Sequence, residues 1–125
     1  MRALLAAVLL AAAALANAQE GYPLDGTWRG EHPAARGGTE TVVIVFEWDG
    51  QKLKGIVNPG PDQFEITDFE LIPDGWKVRI AAKARDGAAV TYDAVLSDIG
   101  QYTRHLTGTW TEGGRSYNVR MTREH

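Results

Sequence analysis

The sequence predicts an all-β protein: eight strands in an antiparallel up-and-down meander, closed into a small lipocalin-like barrel. Three observations carry this. Apolar and polar residues alternate with a period of two along most of the chain, and helical periodicity is nearly absent. Turn signals recur between the alternating runs: Asp49-Gly50, Pro73-Asp74-Gly75, Asp86-Gly87 and Glu112-Gly113-Gly114. The pentad Leu24-Asp25-Gly26-Thr27-Trp28 returns near the end as Leu106-Thr107-Gly108-Thr109-Trp110, as expected when a sheet curls until its ends meet. An open sheet or sandwich is the alternative, but closure removes the edges that an open sheet leaves exposed.

Each strand has its own signal. Thr27 to Glu31 is a short first strand. Thr41 to Trp48 is β-branched and aromatic, with Val42, Ile44, Phe46 and Trp48 on one side. Lys52 to Val57 turns Lys52 and Lys54 outward and Leu53 and Val57 inward, and Asn58-Pro59-Gly60-Pro61 ends it. In Ile66 to Ile72 the apolar phase slips between Phe64/Ile66 and Phe69/Leu71, which predicts a β-bulge near Thr67-Asp68. The fifth strand alternates Trp76, Val78, Ile80 and Ala82 with Lys77, Arg79 and Lys83. Val90, Tyr92, Ala94 and Leu96 mark the sixth. Tyr102, Arg104, Leu106, Gly108 and Trp110 mark the seventh, and Tyr117, Val119 and Met121 the eighth. The two Trp-bearing segments are expected to be neighbours in the barrel wall.

The first eighteen residues are predicted to be an address rather than structure. Arg2 supplies a short positive start, Ala3 to Ala16 is an unbroken Ala/Leu/Val run, and Ala16-Asn17-Ala18 is an A-x-A cleavage site. Cleavage between Ala18 and Gln19 would leave one domain, residues 19–125, in the periplasm or the medium. The apolar run is shorter than the ~20 residues of a spanning helix, and no later segment is apolar enough to span. With no cysteine, the chain has neither disulfides nor a thiol to lipidate, so the hydrophobic core must hold it together. The formal net charge is −3 and becomes −4 once Arg2 leaves with the signal. A weakly acidic domain without a basic run is a poor partner for nucleic acid or anionic membrane.

Gly26-Thr27-Trp28 on a first strand, with Arg123 on the last, resembles the G-x-W and Arg arrangement of lipocalins. A closer resemblance covers most of residues 19–125. It is to small exported bacterial β-domains with Gly-Thr-Trp at both ends, which occur alone or ahead of secreted α/β-hydrolases. The matching residues are 24–30, Leu53-Lys54-Gly55, and 106–114 followed by Tyr117 to Arg123. The resemblance implies an exported β-domain and brings no activity or functional residues with it.

Meander parity places the connections alternately at two ends. The longest, His32 to Glu40 and Asn58 to Gln63, fall at one end, and tight turns fall at the other, which predicts a cup with a mouth and a floor. Trp110, Tyr117, Phe64 and Tyr92 are then the candidate wall of a pocket for a small apolar or aromatic ligand. The same four residues are alternatively core filler, since an eight-stranded barrel has little interior to spare. Trp28 and Arg123 are predicted to meet at the floor, with the guanidinium stacked on the indole.

No catalytic motif is present: no G-x-S-x-G, no H-E-x-x-H, no phosphate-binding glycine loop and no Cys nucleophile. His32, His105 and His125 are not expected to converge on a metal, and no cofactor is expected. Glu65, Asp68, Glu70 and Asp93 form no fixed carboxylate pair and are expected on solvated faces. Gly55 and Gly108, inside strands, mark close backbone approach. The expected function is therefore non-enzymatic: an exported barrel binding a small apolar or aromatic molecule at its loop-rich rim. The alternative is an accessory protein-interaction domain with a solid core and no ligand, its partner another exported protein.

Overall fold

The computed structural model describes residues 23–34, 37–101 and 103–124. The predicted signal peptide, the loop residues Ala35 and Arg36, and Tyr102 and His125 lie outside them. The strands are β1 (Gly26–Pro33), β2 (Thr39–Trp48), β3 (Leu53–Val57), β4 (Phe64–Ile72), β5 (Lys77–Lys83), β6 (Ala89–Ser97), β7 (His105–Glu112) and β8 (Arg115–Glu124). Each pairs antiparallel with its sequence neighbours, and β8 returns to β1, so the meander is a closed barrel.

The alternation in the sequence becomes the inside and outside of the wall. On β6, Val90, Tyr92, Ala94 and Leu96 are buried while the residues between them are exposed. The same pattern brings Val42, Ile44 and Phe46 from β2, Val78 and Ile80 from β5, and Val119 and Met121 from β8 into one core. No polar or charged residue is buried there among the described residues. Burial of apolar surface, at ~25 cal/mol per Å², is thus the main attractive contribution.

Closure seats Trp28 opposite Arg123 and Gly30 opposite Met121. The floor is closed by the chain just before β1. Leu24 is wholly buried, and the carbonyls of three consecutive residues are held. Arg104 Nη1 donates to Pro23 O at 2.8 Å, Trp28 Nε1 to Leu24 O at 2.8 Å, and Arg123 Nη1 to Asp25 O at 3.4 Å. The expected meeting of Trp28 and Arg123 is present as a register pair, and the guanidinium reaches on to the Asp25 carbonyl.

Four expectations need correction. The two Trp-bearing segments are not adjacent, because β8 lies between β1 and β7. Strand seven starts at His105, and its expected first residue, Tyr102, lies outside the described residues; the β6–β7 connection spans positions 98–104, longer than any at the mouth, so the contrast between long rim loops and tight floor turns disappears. Arg104 therefore caps the floor instead of lining a strand. Trp76 does not open β5: it sits in the turn with φ +50° and is 37% exposed. Gly75 and Trp76 both take left-handed backbone there, so the alternation begins only at Lys77.

Candidate functional site

The four residues expected to wall the pocket are divided by the structure. Tyr92 is wholly buried and Trp110 is 3% exposed, their rings 5.7 Å apart. The Tyr92 hydroxyl donates to Val119 O at 2.9 Å, with Leu106 O at 3.3 Å. Burial pushes its ionisation well above the ordinary tyrosine range. Val42, Val57, Ala82 and Val90, at the same end of the barrel, are at most 7% exposed. The mouth is filled by the protein's own side chains. Tyr117 is half-buried and stacks on His32 at 5.1 Å; Phe64 is half-buried opposite Val57.

The wall opens elsewhere. The β3–β4 ladder consists of two pairs, Ile56↔Glu65 and Val57↔Phe64. Every other neighbouring pair in the barrel has a longer ladder. Below those two pairs the strands diverge, and a cleft of about 820 Å³ runs along the seam. Trp48, Leu53, Ile66 and Phe69 give it a half-buried apolar lining, with Val45 and Ile56 at its outer side. Glu47, Lys52, Lys54, Glu65 and Asp68 are its charged residues.

Two local features make the seam. The register on β4 shifts between Ile66 and Asp68, leaving Thr67 as the extra residue of the expected bulge. Its hydroxyl donates to Ala81 O at 3.1 Å. The bulge lets Ile66 and Phe69 both turn to the inner side, where Phe69 meets Phe46 at 6.1 Å between centroids. Across the seam, Gly55 leaves the space that Ile66 occupies: a Cβ on Gly55 would stand 2.4 Å from Ile66 Cδ1. The glycine is there for close approach, as the sequence indicates.

A second, shallower groove of about 540 Å³ lies on the outer wall over β4, β5 and β6. Arg79 pairs across the ladder with Glu70 on one side and Asp93 on the other, its Nε 3.5 Å from Asp93 Oδ1. Asp68 and Phe69 line both this groove and the seam. Neither opening is lined by Trp110, Tyr117, Phe64 or Tyr92. His32 lies near Glu40 and His105 near Asp98, and no group of His, Asp or Glu suited to a metal occurs among the described residues.

The fold defines the class: a small, closed, eight-stranded antiparallel meander barrel. No protein-family model matches the chain, and no curated protein matches it. Among solved structures it is similar to a redesigned β-barrel, at 12% identity and a TM-score of 0.53, over 82% of this chain and 92% of the other. That likeness carries the fold alone. Among the described residues no helix is long and apolar enough to cross a membrane.

Proposed function

We propose that this chain is a non-enzymatic, exported binding barrel that takes a small apolar or aromatic molecule at the β3–β4 seam rather than at the rim. The observation that carries the reading is the half-buried lining of Trp48, Leu53, Ile66 and Phe69 where the ladder ends. Apolar surface gathered in a concave site is the usual form of a small-ligand pocket. The filled mouth supports moving the site away from Trp110 and Tyr92.

Titration with N-phenyl-1-naphthylamine, a neutral apolar probe, tests this. Trp48→Ala should weaken binding about tenfold, a typical loss for an aromatic anchor, and Tyr117→Ala should leave it unchanged. The reverse pattern would return the site to the rim, and no saturable binding would remove the ligand altogether.

A protein-contact role is the second reading. Trp76 and Val95 are 37% and 48% exposed, and Val95 stands opposite Lys77, the residue after Trp76, in the ladder. Native mass spectrometry of material from the host separates the two: a retained small molecule favours the seam, and a bound polypeptide favours the accessory role.

A further inference from the structure

The seam has a charge polarity across its width, and this narrows the ligand class; the inference rests on the reading just given. β4 carries Glu65, Asp68 and Glu70 and no basic residue. Glu65 and Asp68 line the cleft, both are exposed, and neither has an ion pair among the described residues. Asp68 follows the extra residue of the bulge and adjoins Phe69, so a carboxylate and an aromatic ring stand together at the junction of the two openings.

The opposite wall carries Glu47, Lys52 and Lys54, one more cation than anion. Lys54 stands across the β2–β3 ladder from Glu47. It also lies close enough to Asp49 to help hold that carboxyl below its ordinary range, an effect led by the backbone N–H groups of Gln51 and Lys52. On the far side of β4, Arg79 stands between Glu70 and Asp93. The two cleft carboxylates on β4 therefore outnumber the one surplus cation, Lys52, on the facing wall.

From this charge complementarity we propose that the seam selects a flat aromatic cation. Its ring lies against Leu53, Ile66 and Phe69, and its positive group points toward Asp68 and Glu65. A neutral ring gains the apolar contact alone. An aromatic anion gains that contact and meets repulsion from β4. Exposed charge pairs are individually weak and salt-screened, so the preference is modest and largest at low ionic strength.

Three ligands with one ring system test it: naphthalen-2-ylmethylammonium, 2-naphthalenemethanol and 2-naphthoate. Binding is followed by amide shifts of the isotope-labelled protein at low salt. The ammonium should bind about tenfold tighter than the alcohol, a difference of ~1.4 kcal/mol, and the carboxylate should bind weakest. Asp68→Asn, at an exposed position, should remove most of the ammonium's advantage and leave the alcohol unchanged. Equal affinities for all three, with shifts at the seam, would overturn the charge preference and leave the binding barrel standing. Tighter binding of the carboxylate would overturn it too. Shifts at the rim, or none, would overturn both.

Discussion

Trp28 is the residue on which most depends. It is wholly buried, its indole N–H is satisfied by Leu24 O, and it stands where β1 meets β8. Trp28→Ala should cost about 3–5 kcal/mol, a large part of the ~5–15 kcal/mol typical of a domain. Calorimetry should show a melting temperature lower by more than about 10 °C. An unchanged melt would place Trp28 outside the core. Gly108 is equally constrained, since a Cβ there would lie 1.9 Å from Asp93 O, a backbone atom of the neighbouring strand. Gly108→Ala should destabilise by at least the ~1–3 kcal/mol of overpacking. Gly100→Ala, with nothing nearby, should stay within about 0.5 kcal/mol.

Tyr92 sets the alkaline limit. Its pKa is raised from the ordinary 10.0 by burial. The unfolded chain loses this proton near the ordinary value, while the folded chain keeps it. Stability is therefore intact below about pH 10 and falls as pH rises from there toward the folded pKa, by up to ~1.4 kcal/mol per pH unit. Urea melts between pH 9 and 12 should show this slope, and Tyr92→Phe should flatten it. The same melts with Tyr117→Phe provide the control, and an identical slope for Tyr92→Phe would show that Tyr92 is not the group responsible.

At the scale of elements, the β3–β4 seam is the weak join. Two register pairs hold it, against eight on the β6–β7 side of the barrel. Local opening follows the fewest buried contacts and shortest ladders. Hydrogen exchange should be fastest along β3 and β4, and slowest on β6 and β7. Protection of β3 equal to that of β6 would mean the seam is not a distinct opening unit.

The elements also show what sequence could and could not reveal. Strands with one face inside announce themselves by alternation, and β6 is an example in which every second residue is buried. The bulge was legible because a slip in apolar phase has no other economical cause on a strand. The length of a ladder was not legible, because divergence of β3 from β4 depends on how both pack against the rest of the barrel. Hence alternation assigns the four aromatics to a pocket wall at an end that is full, and it reveals Gly55 and the bulge without revealing the seam they make. Trp76 and the start of β7 depart from the alternating pattern for a related reason. Backbone turns can absorb residues that fit an alternating pattern, and nothing local distinguishes them.

For the molecule as a whole, the floor is the counterpart of a missing disulfide. The segment Pro23–Asp25 buries Leu24 and receives hydrogen bonds from Arg104, Trp28 and Arg123, residues far apart in the chain. Arg104 gives up some affinity for its proton because it is partly buried and because Arg123 is near. A protein shortened to begin at Gly26 should lose the ~1.5–3 kcal/mol of one buried leucine and more from the carbonyls it no longer supplies. Its melting temperature should drop by roughly 10 °C or more, and an equal melt would show that the segment is a passive tail.

Joining β8 to β1 has one more outcome. Thr27 and Glu124 are register partners, and Arg29 Nε reaches Glu124 Oε1 at 2.7 Å, so the beginning and end of the barrel lie beside each other. A few added residues could splice Glu124 to Pro23, and fresh ends could then be cut in the Asp86-Gly87 bend without undoing any ladder. Such a circularly rearranged gene should yield the same barrel. Cutting instead within residues 58–63 would release the one join that two pairs hold, and that product should be the more easily unzipped of the two.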